Sequence, residues 1–147
     1  MEKQTELDSL LETWKKDSKI NITEPGRELL NIPVLHGKYL NILSNHKVAL
    51  KRLEIEYAKL KRIKWEYYSG KMDETTLKKY GWNQFPYVLK SDISTYMESD
   101  DDLTKITETK IIYEEIIDVC TAILKELNSR TYQLKAFIDY EKFIQGV

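Results

Sequence analysis

Cysteine, glycine and proline are scarce in this chain: its 147 residues include one cysteine, five glycines and three prolines. A lone Cys120 can neither close an intramolecular disulfide nor supply a thiolate zinc site, so a reducing compartment is expected. Few glycines and prolines argue against a loop-rich barrel, a sandwich or a collagen-like chain. No apolar run reaches the roughly 18 residues of a membrane helix, and MEKQTELDSLLETWKKDS, at the start, carries acids from Glu2 onward and no apolar stretch of signal-peptide length. The expectation is a cytoplasmic protein without a membrane partner. Also missing are GxxxxGK followed by Ser or Thr, GxGxxG and GxSxG, and with them the usual phosphate loop, dinucleotide fingerprint and nucleophile elbow.

What remains is charge and helical periodicity. Charged residues make up 32% of the chain and hydrophobic ones 41%, and the net charge is −1. The prior is one domain over 1–147, all-α, with long solvated helical faces. Leu7, Leu10, Leu11 and Trp14 give residues 4–16 an amphipathic helical pattern. Thr23, Glu24 and Pro25 suggest an N-cap with proline in a first turn, and Pro33 is expected to open the next helix in the same way.

From Pro33 to Tyr68 roughly 36 residues are free to run as one helix. Leu43, Leu50 and Tyr57 recur every seven residues, as do Tyr39, His46, Leu53, Leu60 and Tyr67, which is a heptad seam that needs partner helices. Ser69 and Gly70 stop the pattern. A short helix closed by Gly81 and an irregular aromatic stretch over 80–87 follow. Asp100, Asp101 and Asp102 suit the first turn of a helix, because acids there complement its dipole. Leu103, Ile106, Tyr113, Ile116, Ile117, Cys120, Ile123, Leu124 and Leu127 then predict a second long helix over 103–130, with Leu134, Phe137, Ile138 and Phe143 on a helical face beyond it.

The near-neutral total hides a segregation. Lys47, Lys51, Arg52, Lys59, Lys61, Arg62, Lys64 and Lys71 stand against Glu54, Glu56 and Glu66, so this window carries +5 and the rest of the chain −6. At its centre KLKRIKWEYYSGK, Lys59 to Lys71, interleaves cations with Trp65, Tyr67 and Tyr68. Cations meet phosphodiesters and aromatic rings meet unpaired bases, so the pattern fits single-stranded nucleic acid read without sequence preference. A solvated coiled-coil face is the commoner origin of such a run, and Tyr67 lies on the seam, which leaves Trp65 and Tyr68 as the stacking candidates.

Catalytic candidates are few. His36 and His46 lie nearly three turns apart and both fall on the seam, where a satisfied interhelical histidine is the commoner role. Cys120 lies among isoleucines and leucine, as an inert buried thiol does. Neither an enzyme, a metal nor a cofactor is expected. Besides nucleic-acid binding, the remaining reading is a helical scaffold or adaptor that recruits a protein partner.

Lys61-Arg62-Ile63-Lys64-Trp65-Glu66-Tyr67-Tyr68-Ser69-Gly70 resembles the motif Leu-Lys-Ala-Arg-Leu-Asp-Tyr-Tyr-Ser-Gly of the UvsY-type recombination mediator proteins of T-even-like phages. VLKSD at Val88–Asp92 and DVCTAILKELNSR at Asp118–Arg130 extend the likeness. The two basic positions exchange Lys and Arg, and Lys61, Ile63 and Trp65 depart from the pattern, so charge is kept where arginine's bidentate geometry is not. The resemblance implies a ring-forming homo-oligomer, heptameric in the type member, that binds single-stranded DNA, helps displace single-strand-binding protein and loads a RecA-like recombinase for recombination, repair and replication, without catalysis. By carry-over Arg62 and Lys64 would contact phosphates and Tyr67 to Gly70 would shape the end of the binding helix. The expected DNA site is Lys59, Lys61, Arg62, Lys64, Trp65, Tyr67, Tyr68, Ser69, Gly70 and Lys71, on a basic helix over 33–70. Assembly is expected from 103–147, through Ile116, Ile117, Ile123, Leu124, Leu127, Leu134, Phe137 and Ile138.

Overall fold

A computed structural model describes residues 2–146, which form five α-helices and one short 3-10 turn: α1 (Glu2–Asp17), α2 (Pro25–Tyr68), α3 (Glu74–Tyr80), the turn Lys90–Asp92, α4 (Ile93–Glu98) and α5 (Asp101–Gln145). The all-α expectation holds. α2 starts eight residues before the expected Pro33. Pro25 occupies its first position, and the Glu24 carbonyl accepts the first helical bond from Glu28 N–H at 3.1 Å. Thr23 does not cap it; its hydroxyl donates to Asn21 Oδ1 at 2.6 Å. Pro33 lies within α2 on an exposed face, where the carbonyl that its missing N–H leaves free is open to solvent.

Glycine closes both helices that immediately precede the aromatic stretch. Gly70 (φ 75°) lets Gly70 N–H reach the Tyr67 carbonyl at 3.1 Å and Lys71 N–H the Glu66 carbonyl at 2.9 Å, which closes α2. Gly81 (φ 71°) closes α3 by the same pair of bonds, from Gly81 to Lys78 and from Trp82 to Leu77. α5 begins as its acids predict: Asp100 Oδ1 accepts from Leu103 N–H at 3.0 Å, and Asp101 and Asp102 fill the first turn.

The chain forms two compact units, one made of residues up to Ala49 together with Ile112 onward, the other of Leu50–Ile111. In the first, Leu7 and Leu10 of α1, Leu35, Tyr39 and Leu43 of α2, and Ile116, Cys120, Ile123 and Leu127 of α5 make one core. Its interhelical histidine is His46, with Nδ1 2.7 Å from the Ile42 carbonyl and Nε2 2.8 Å from Glu6. Burial pushes the Cys120 thiol up to about 11, so the thiolate is disfavoured. Arg130, only 3% exposed, donates to the carbonyls of Asp17 (3.2 Å) and Ser18 (3.1 Å), satisfying acceptors that the end of α1 leaves open. Tyr39 and Lys38 close the same corner by donating to Asp17 Oδ2 at 2.7 and 2.6 Å. Burial alone would raise the Asp17 pKa, but these donors and the nearby Arg130 charge outweigh it and hold the carboxyl below its ordinary range.

This core alters the assembly expectation. Ile116, Ile123, Leu127 and Leu134 are buried inside the chain, at 1%, 3%, 0% and 3% exposure, and Ile117 and Leu124 pack against them. Ile116, Ile123 and Leu127 are packed against α1 and α2 of the same chain, while Ile117 and Leu124 stay half-buried. Phe137 and Ile138 are half-buried. Phe143, expected on the same face, is 81% exposed with Tyr132 (77%) and Tyr140 (60%); three- and four-residue steps from 132 through 136, 140 and 143 place these rings together on another side of α5.

Candidate nucleic-acid interface

The second unit is organised around Lys64. At about 100° per residue, Lys64 lies roughly 200° around the helix from Arg62, so the two cannot share a face. Lys64 points inward and is 5% exposed. Its Nζ lies 3.0 Å from Asp100 Oδ2, 2.7 Å from Asp102 Oδ2 and 4.2 Å from the centroid of the Trp82 ring. Burial favours the neutral amine, but the two carboxylates outweigh it and raise the lysine pKa. Asp100 follows the converse logic. Burial raises it, yet Tyr68 O–H (2.5 Å), Leu103 N–H and Lys64 together hold it below its ordinary value. Tyr68 in turn is pushed well up by burial and by the carboxylate it donates to.

Around this buried charge the aromatic stretch folds back within the chain. Tyr67 meets Trp82 (ring centroids 5.0 Å apart) and Phe85 (5.5 Å), while Tyr68 meets Phe85 (4.9 Å) and Tyr96 (6.0 Å). Tyr67 O–H donates to the Asn83 carbonyl at 2.9 Å, and Ser69 Oγ donates to the Glu66 carbonyl at 3.1 Å. The expected site residues thus divide. Lys64, Tyr67, Tyr68, Ser69 and Gly70 build and end the helix, and Lys64, expected to contact a phosphate, has its charge matched by two carboxylates within the chain. Tyr68, expected as a stacking candidate, has its ring packed against Phe85 and Tyr96 and its hydroxyl engaged by Asp100.

Exposed cations remain. Lys59, Lys61 and Lys71 make no ion pair among the described residues, and Arg62 holds only Glu66, at 3.0 Å on the same exposed face. Trp65 is 40% exposed, and Lys71 Nζ lies 4.6 Å from its ring centroid. The sequence already held a sign of the division: Lys64 falls seven residues after Tyr57, the next position in the series Leu43, Leu50, Tyr57. Its partners, Asp100 and Asp102, are far away along the chain and were legible only as a helix start. Sequence reasoning did not place Lys90 and Tyr87 in the site, though they line a groove with Trp65 and Lys71; the aromatic stretch over 80–87 and VLKSD at Val88–Asp92 contained them without marking them as exposed.

No group of three or more His, Cys, Asp or Glu among the described residues is arranged to hold a metal ion. No helix among them is long and apolar enough to cross a membrane. The arrangement therefore offers cations and an aromatic ring along one helix and its end.

Comparison with known proteins gives this surface a context. The recombination protein uvsY of Enterobacteria phage T4 is 28% identical over 142 residues, covering 95% of this chain and 98% of that one. Crystal structures of the bacteriophage T4 recombination mediator protein UvsY superpose with a TM-score of 0.80 in lattice types II and I. In these, identity is 26% and 27%, coverage of this chain 94% and 92%, and coverage of the T4 chain 96% and 98%. The profile of the family described as recombination, repair and ssDNA binding protein UvsY matches residues 13–147. The helices, the basic motif and the match over nearly the whole length lead to one conclusion: the chain belongs to the UvsY family and is a recombination mediator.

Proposed function

We propose that the exposed cations of the second half of α2 and its end, Lys59, Lys61, Arg62 and Lys71, take the phosphates of single-stranded DNA, with Trp65 beside them. In this reading the protein helps to displace single-strand-binding protein and loads a RecA-like recombinase, with no catalysis of its own, in the cytoplasm of a phage-infected host. It works as a homo-oligomeric ring, heptameric by its resemblance to the type member. Apolar α5 side chains left uncovered, Tyr132, Tyr140 and Phe143, together with Phe137 and Ile138, supply the assembly surface. A ring repeats a modest cationic patch around its circumference, and linked patches raise avidity without any new interaction.

The observation that carries the reading is the separation of roles on α2: Lys64 is neutralised inside while Lys59, Lys61 and Arg62 face outward. The test replaces Lys59 and Arg62 together by Ala. Single-strand affinity falls, and the salt slope becomes shallower by about 0.7 for each phosphate no longer engaged. Unchanged affinity and slope would make the cations a solvated face and the protein an adaptor.

A further inference from the structure

A groove of about 500 Å³ lies in the second unit, lined by Trp65 and Lys71 from the end of α2, Tyr87 and Lys90 from the segment after Pro86, and Ile93 and Met97 of α4. Its floor is apolar, since Ile93 is buried and Met97 half-buried. Its lining contains two lysines and no acid. Lys71 and Lys90 make no ion pair, so both charges are unmatched by acids among the described residues.

Tyr87 stands apart from the neighbouring aromatics. Trp82, Phe85 and Tyr96 pack ring to ring, whereas Tyr87 is 92% exposed and meets no other ring among the described residues. Its backbone is nonetheless held on both sides. Phe85 is anchored 5.1 Å from Tyr96, Pro86 fixes its own φ, and Asp92 N–H donates to the Leu89 carbonyl at 2.8 Å to close the turn that follows. A ring presented to solvent on a fixed backbone loses little freedom when a flat partner settles on it.

We propose that this groove seats one unpaired nucleobase of single-stranded DNA on the Tyr87 ring, with the flanking phosphates on Lys71 and Lys90. The assignment rests on the nucleic-acid reading above and adds to it a base-stacking position outside the basic motif. Charge complementarity selects the occupant: an apolar floor, a free aromatic face and two unpaired cations match a base between two phosphodiesters. Trp65, with the Lys71 ammonium held over its ring, forms the wall beside the base and keeps that cation at the groove.

The full-length protein is titrated with labelled oligothymidylate and with an abasic strand of the same length and charge. The wild type favours the strand with bases by at least about fivefold, the lower bound for one stacked base. Tyr87→Ala narrows that preference and leaves abasic binding unchanged, while Tyr87→Phe, which keeps the ring, retains it. Lys90→Gln weakens both strands and makes the salt slope shallower by about 0.7. If Tyr87→Ala keeps the wild-type preference, no base stacks on Tyr87 and the proposal fails while DNA binding stands. If the wild type binds neither strand, both readings fall.

Discussion

Each compact unit buries one long cation, and the two cations are used differently. Arg130 turns its guanidinium on neutral carbonyls at the end of α1, beside a core of Leu, Ile and Tyr39. Lys64 turns its ammonium on two carboxylates amid Tyr67, Tyr68, Trp82 and Phe85. The first unit is thus held mainly by apolar area, with its charge finishing a helix end. In the second, an ionic and hydrogen-bonded centre ties α2 to the start of α5. The difference teaches that membership in a basic motif does not make a lysine a ligand contact: Lys64 belongs to the fold of the surface that its neighbours present.

The sharpest way to break this comparison is Asp100→Ala. It strips Lys64 and Tyr68 of a shared acceptor and removes the α5 cap, and removing one partner of a buried pair costs about 3–5 kcal/mol. Urea unfolding should show that loss. Lys64→Met should likewise lower stability while leaving the salt slope of DNA binding at the wild-type value. A slope reduced as much as by loss of Arg62 would return Lys64 to the phosphate-binding set. In the first unit, Leu127→Ala should cost about 2–5 kcal/mol by leaving a cavity. Native mass, measured where the variant remains folded, should stay that of the wild type, because Leu127 is wholly buried within one chain.

A smaller effect comes from pH. The native pKa of Asp100 and of Asp17 lies below the ordinary value of 3.8. Each native carboxylate therefore contributes stability that is complete above that range and fades as pH falls through the depressed native value. Lys64, raised above 10.5, contributes below that pH and loses its contribution as pH climbs through the raised value. Both units should weaken in acid, and the alkaline loss due to Lys64 should disappear in Lys64→Met. Chemical denaturation across pH, comparing that variant with the wild type, checks the assignment.

Much of this was legible in the sequence because it is periodic or local. The seam residues Tyr39, Leu43, Leu50 and Tyr57 are buried or half-buried, the Ser69-Gly70 stop is a glycine-closed helix end, and the acidic triplet starts α5. What escaped depends on partners distant along the chain. A stripe such as Ile116, Ile123 and Leu127 announces that it must be covered but not by what, so an intrachain core read as an assembly face. Pro33 misled because a first-turn proline and an exposed proline within a helix look alike in sequence. The burial of Lys64 was signalled by its heptad position, seven residues after Tyr57, but its two carboxylate partners lie about 36 residues on and left no local sign.

The clasp of Arg130 on the end of α1 also bears on the order in which the chain can fold. Its donors and acceptors are separated by as many as 113 positions, so the corner cannot close until Arg130 has been made. Residues 50–111, by contrast, are contiguous and leave the ribosome together. At about 5–20 residues per second, α1 and the first part of α2 wait several seconds with Leu7, Leu10 and Leu35 uncovered before α5 arrives. A cell making this protein must shelter that early hairpin, and a nascent chain stopped before Ile112 should be far more prone to chaperone capture or aggregation than the finished one.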